Sequence, residues 1–161
     1  MARSKSKLQA ELKQSKPFSS PVEEAFLAVI KTADGLVSTL DRKLAEQGLS
    51  HQQYNVLRIV RGAGAAGIPT LAIGDRLIES APGMTRLLDR LEEKGLVRRE
   101  RCKKDRRQVL CYIKDEGARL LVELEPLVDG VAERSFAGLE PAELESLIET
   151  LEHIREQVER I

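Results

Sequence analysis

The sequence predicts a mainly α fold carrying one small β-hairpin, an α+β arrangement in which helices do most of the packing. Three observations point there. Aromatic residues are only 3% of the 161 and Trp is absent, while hydrophobic residues reach 42%, so the core must be built from Leu, Ile, Val and Ala. That composition leans helical, because small and straight-chain residues lose little freedom in a helix. Apolar residues recur at three- and four-residue spacing through most of the chain, the repeat of one helical face. Between Leu96 and Ile113 the period changes to two β-prone runs around a polar tip. The length suits one domain, or one domain with a dimerisation extension.

Taken in order, residues 1–19 are polar and Lys-rich, a flexible basic arm or at most a weak helix, and Lys16-Pro-Phe-Ser-Ser-Pro21 reads as a linker. Ser20 is a good N-cap, with Pro21 at the first helical position and Glu23 placed to complete a capping box. The helix it opens carries Phe26, Val29, Ile30, Ala33, Leu36, Val37, Leu40 and Leu44 on one face, and Gly48 closes it. Ser50 caps a second helix with Tyr54, Val56, Leu57, Ile59 and Val60, ended by the loop Gly62-Ala-Gly-Ala-Ala-Gly67. Ile68-Pro69 suits a short edge strand, and Thr70 is expected to cap a short helix reaching about Leu77. Ser80-Ala-Pro-Gly83 turns into a helix with Met84, Leu87, Leu88 and Leu91 on its apolar face, stopped by Gly95. Leu96–Cys102 and Gln108–Ile113 form the hairpin around Lys103-Lys-Asp-Arg-Arg107. Asp115 then opens a long helix, and Glu140-Pro141 a final one carrying Leu144, Leu147, Ile148, Leu151, Ile154 and Val158.

The formal net charge is zero, which by itself argues for no polyanionic partner. Its distribution argues otherwise. From Arg86 to Arg107 ten bases face five acids, a net +5, whereas from Asp115 to Ile161 four bases face thirteen acids, a net −9. A basic segment beside an acidic one points to a polyanion-binding end and a separate end that avoids it.

A short helix, a tight turn, a second helix and a hairpin make a winged helix-turn-helix, here spanning Thr70–Ile113 within a lobe of residues 50–113. To enter a major groove, the second helix must present small or polar residues at its N-terminal end. Ser80, Pro82, Gly83, Thr85, Arg86 and Arg90 fit, and the helix N-terminus adds amides and a partial positive charge toward phosphates. The hairpin tip must be cationic to reach a backbone or minor groove, and Lys103, Lys104, Arg106 and Arg107 supply that. Against this stands the plainer reading of Arg86 and Arg90 as a solvated face paired to Asp89 and Glu93, with the wing as an ordinary charged edge.

Together these residues resemble the multiple antibiotic resistance regulator (MarR) family. The resemblance rests on Leu71-Ala-Ile-Gly-Asp-Arg-Leu77, Met84-Thr-Arg-Leu-Leu-Asp-Arg-Leu-Glu-Glu-Lys-Gly-Leu-Val-Arg-Arg99, Asp105-Arg-Arg107 and Ile113-Lys-Asp-Glu-Gly117, and it covers Val22 to Ile161. It implies a homodimer joined through residues 20–48 and 115–161, binding double-stranded DNA as a transcription repressor at pseudo-palindromic sites. It also implies release by a small, often anionic or aromatic effector held between the dimerisation helices and the winged lobe. By motif, Ser80, Pro82, Thr85, Arg86 and Arg90 would line the major groove. Arg107, with Arg106 second, would reach a minor groove, and Asp105 would hold an arginine in place. His51, Tyr54 and Arg58 are candidate effector contacts by location only. Apart from the resemblance, the apolar stripes of the first and last helices exceed what so small a two-lobed chain can bury alone, which also favours a dimer.

Other classes are weaker. Redox sensing through Cys102 and Cys111 is open, since neighbouring Arg and Lys lower a thiol pKa. The hairpin register sets Cys111 opposite about Arg99 and Cys102 opposite about Gln108, so the two are not bridged to each other. A winged-helix module that binds an acidic protein is a second alternative. No enzyme is expected, because the sequence shows no nucleophile–base set and no phosphate loop. His51 and His153 sit in no cluster, so no metal or cofactor is expected either. No apolar run reaches membrane length and the basic N-terminus lacks an apolar stretch, so the expected setting is cytoplasmic, with reduced thiols and no membrane partner.

Overall fold

The computed structural model describes residues 6–78 and 83–161. Its elements are α1 (Lys7–Glu11), α2 (Pro21–Ala45), α3 (His51–Gly62), one 3₁₀ turn (Gly64–Ala66), β1 (Ile68–Pro69), α4 (Thr70–Gly74), α5 (Met84–Glu93), β2 (Val97–Arg101), β3 (Val109–Ile113), α6 (Asp115–Ser135) and α7 (Pro141–Val158). The basic arm therefore contains a five-residue helix, capped by the Ser6 side chain. The chain divides into two compact units, Met1–Leu127 and Val128–Ile161, and the division falls inside α6.

In the first unit, helix ends follow local chemistry. Ser20 accepts from the Glu23 amide at 3.2 Å as a cap should, with Pro21 in the first turn. The reciprocal half of the expected capping box is displaced by one residue. The Glu23 carboxylate takes the Ser19 amide at 2.6 Å and the Ser19 hydroxyl at 2.7 Å, and those bonds hold its pKa below the ordinary range. At the other end of α2, the Leu49 amide bonds the Leu44 carbonyl and the Gly48 amide bonds the Ala45 carbonyl, with Gly48 at φ +72°. This is a Schellman motif, and its hydrophobic pair, Leu44 and Leu49, is buried. The same pattern recurs after α5, where Leu96 bonds back to Leu91 and Gly95 to Glu92. Ser50 and Gln53 form a full capping box on α3.

One expectation fails here. Thr70 does not cap a helix running to about Leu77. Pro69 occupies the cap position without a side-chain bond, Thr70 is already helical, and α4 stops at Gly74. Pro69 sits on β1, whose ladder with β3 pairs Ile68 with Cys111 and Pro69 with Leu110. The strand order is β1-β3-β2, so Pro69 lies on an edge, where a missing amide does least harm.

The core of this unit gathers around β3. Val56, Leu57 and Val60 of α3, Ile73 of α4, Leu88 and Leu91 of α5 and Leu121 of α6 are all essentially inaccessible. At the start of α6 the chain passes so close to Leu96 that a Cβ on Gly117 would lie 2.3 Å from the Leu96 carbonyl oxygen. The Lys114 amide donates to that same oxygen at 3.0 Å, so glycine at 117 allows the helix to start against the wing. In the second unit, α7 follows Glu140, whose amide donates to the Glu143 carboxylate at 2.8 Å, and runs from Pro141 to Val158 with no buried residue. Among the described residues no helix is long and apolar enough to cross a membrane, and no group of three or more His, Cys, Asp or Glu could hold a metal ion.

Candidate nucleic-acid interface

The sequence singles out two patches, the start of α5 and the hairpin tip. Ser80 and Pro82 of the first patch lie outside the described residues. Gly83 follows them at φ +103°, and Met84 opens α5. The helix is sharply two-faced. Leu88 and Leu91 point into the core, Met84 and Leu87 are half-buried, and Thr85, Arg86 and Arg90 are exposed. A shallow cleft of about 300 Å³ separates Arg86, Leu87 and Arg90 from Ser50, Gln52 and Gln53 at the start of α3. The start of α3 adds little as an anion site of its own. The His51 amide is taken by Asp41 at 2.7 Å and the Gln53 amide by Ser50 at 3.2 Å.

The plainer reading had the acids of α5 neutralising its arginines. The structure pairs Asp89 elsewhere, and Glu93 has no ion pair among the described residues. Arg99, on β2, reaches back across the Gly95 turn. Its Nη2 donates to Asp89 Oδ1 at 2.6 Å and to Glu92 Oε2 at 2.6 Å, and its Nε donates to Glu92 Oε2 at 2.9 Å. The Arg99 amide also donates to Glu92 Oε1, at 2.9 Å. The hydrogen bond from the Arg99 side chain holds the Glu92 carboxyl below the usual carboxylate range. Arg98 on the opposite face of β2 pairs with Glu100 and lies over the Tyr112 ring at 4.2 Å. Among the described residues neither Arg86 nor Arg90 has an ion-pair partner.

The wing is a regular antiparallel ladder from Val97↔Ile113 to Arg101↔Val109, with Arg99 opposite Cys111. Beyond it the Cys102 amide bonds the Gln108 carbonyl at 2.9 Å and the Gln108 amide bonds the Asp105 carbonyl at 3.0 Å, which closes the tip. The Asp105 carboxylate accepts from the Arg107 backbone amide at 3.0 Å. Asp105 thus holds Arg107 by its main chain, in the local turn that Asp favours. Lys103, Lys104, Arg106 and Arg107 are all exposed, and none is in an ion pair among the described residues.

The remaining candidates separate. Cys111 is fully buried, and burial pushes its thiol up to about 11 despite the nearby Arg99 charge. A neutral thiol is a poor redox sensor, so the cationic neighbours do not activate it. Both cysteines are free. His51 is engaged by Asp41, Nδ1 to Oδ2 at 2.8 Å, Tyr54 is buried, and the exposed Arg58 lies 5.9 Å from the centre of the Tyr54 ring. The group that sequence reasoning missed is the Asp89–Glu92–Arg99 bracket. Its signal was present: two acids three apart on one helix face, followed by an arginine seven residues after the second, across a glycine turn.

A sequence model described as MarR family matches residues 49–109. An uncharacterised helix-turn-helix transcriptional regulator of Bacillus subtilis, YkoM, is 31% identical over 66% of this chain and 68% of its own length. Among solved structures, a MarR transcription factor from Planctomyces limnophilus is similar at 39% identity and a TM-score of 0.66, over 84% of this chain and 98% of that one. The MarR-family regulator Sco3205 from Streptomyces coelicolor, crystallised in complex with DNA, shares the fold at a TM-score of 0.78 and 24% identity, over 89% of this chain and 92% of its own.

Proposed function

This chain belongs to the MarR family of DNA-binding transcription regulators, which are not enzymes, and from that premise we propose that it acts as a homodimeric, ligand-responsive repressor at a pseudo-palindromic operator. The observation that carries the DNA half of this reading is the set of six exposed cations without ion-pair partners among the described residues: Arg86 and Arg90 on α5, and Lys103, Lys104, Arg106 and Arg107 on the wing. Cations left unpaired by their own fold are the ones able to replace counterions on phosphates. Arg86 and Thr85, at the exposed N-terminal end of α5, read base edges, and Arg107, fixed by Asp105, follows the backbone into a minor groove. That Sco3205 crystallises with DNA on the same fold supports this placement.

The dimer is supported by apolar surface. Phe26 and Ile30 of α2 are 65% and 50% exposed, and Ile148 and Val158 of α7 are 55% and 63% exposed. Each helix thus carries a stripe at helical spacing that its own unit leaves in water, as helices built for a partner do. Residues 20–48 and 115–161 accordingly form the dimer, and residues 50–113 read DNA. Two copies place their α5 helices about 34 Å apart, one turn of duplex.

For the ligand response, Arg58 beside Tyr54 is the available cation, while an anion at His51 has to displace Asp41. Light scattering and a gel-shift titration test the proposal together. A dimeric mass is expected, along with binding that falls steeply with salt and release of DNA by at least one member of a panel of small aromatic acids. A monomeric mass with no salt-dependent binding would contradict it.

A further inference from the structure

Asp89 follows Arg86 by three residues on α5, a spacing at which an acid and a base on one helix reach each other. In the structure they do not pair. The Glu92 carboxylate takes both the amide and the guanidinium of Arg99, which sets the orientation of that side chain, and the remaining donor of Nη2 then meets Asp89 at 2.6 Å. The Arg99 side chain is only 23% exposed, against 44% for Asp89, so the bracket is anchored from the less accessible side.

We propose that Arg99 is a positioning residue for DNA recognition: it detains the Asp89 carboxylate on the wing side of α5, so that Arg86 meets DNA unpaired. Arg99 itself touches no nucleic acid. Without it, Asp89 turns to Arg86, one phosphate or base contact is neutralised in advance, and an anionic group stands where the duplex must approach. The proposal rests on the reading of Arg86 as a DNA contact, so the two must be separable by experiment.

The test is fluorescence anisotropy with the full-length protein and a labelled duplex enriched from random DNA, across a salt series. The variants are Arg99→Gln, Asp89→Asn, the two combined, and Arg86→Ala. Arg99→Gln should bind about tenfold more weakly, with a slope of log K against log salt shallower by about one, the signature of one lost contact. Asp89→Asn alone should change little, because that carboxylate is already held. The double variant should return to within about threefold of the parent, a recovery a merely structural role for Arg99 would not give. A double variant as weak as Arg99→Gln overturns the proposal, as does an unchanged Arg99→Gln beside a weakened Arg86→Ala. An unchanged Arg86→Ala instead removes the interface reading on which the proposal stands. Should Arg99→Gln not fold, Arg99→Lys serves: a loss of about threefold that Asp89→Asn restores supports the proposal, and one it does not restore overturns it.

Discussion

In the winged lobe, the apolar positions of α3 and α5 mostly end inside: Val56, Leu57, Val60 and Leu91 have no accessible surface and Leu88 almost none. In α7, which repeats apolar residues just as regularly, no residue is buried, and Ile148, Ile154 and Val158 are exposed. The two regions draw on the same residues at the same spacing. They differ in whether their own unit supplies a surface to cover the stripe. The charges differ in parallel, since the lobe carries the net +5 segment and the last two helices the net −9 segment. A stripe that stays wet on an acidic helix cannot be meant for DNA, and a helix that turns its apolar face inward is free to use the other one for recognition.

The contrast can be broken most severely at α7. Ile148→Glu with Ile154→Glu removes apolar surface that no intrachain core uses, so light scattering should show a monomer with unchanged helicity by circular dichroism. DNA affinity should fall by about a hundredfold as two linked half-site contacts become one. Arg86→Ala tests the other side of the contrast. It should weaken specific binding by about thirtyfold in a gel-shift titration, at an unaltered melting temperature and an unaltered dimeric mass.

Gly117→Ala sharpens the claim that the lobe is tightly packed. The new methyl meets the Leu96 carbonyl, and urea unfolding should show a loss of about 2 kcal/mol. Arg107→Ala should weaken binding about fivefold on most sequences and flatten the salt slope by about one, without affecting the dimer.

A pH-dependent effect concerns Cys111. Its thiol stays neutral in the fold until about pH 11, whereas the unfolded thiol ionises near 9, so above that pH the unfolded state binds fewer protons. The contribution of this group to stability is complete below pH 9 and is lost as pH rises toward 11. Urea midpoints across that range should fall less steeply in Cys111→Ala.

Much of the lobe could be read from the sequence because its signals are local. Ser50, Gly48 and Gly95 mark helix ends by chemistry that acts within one turn, and the change of period at Leu96 announces the hairpin down to its register, Arg99 against Cys111. The pattern through Leu77 is apolar at helical spacing, yet α4 ends at Gly74, a residue of low helix propensity, while Pro69, held in the β1 ladder, takes the cap position expected of Thr70. The pairing of charges was hidden for a different reason. Spacing alone makes Asp89 a partner for Arg86, and only the fold brings Arg99 closer. Likewise the cations near Cys111 suggested an activated thiol, and burial, a tertiary property, outweighed them. The six wing and helix cations were legible as a cluster. That none of them has an ion-pair partner among the described residues was not.

The central claim is that two copies of this exposed cationic set are presented one turn of duplex apart. Selection from random double-stranded DNA at low salt, followed by sequencing of the bound pool, measures it most directly. The account expects an enriched inverted repeat with half-site centres about 10 base pairs apart, and loss of the enrichment in Arg86→Ala. Enrichment of a single half-site, or of no motif at all with the dimer intact, would contradict it.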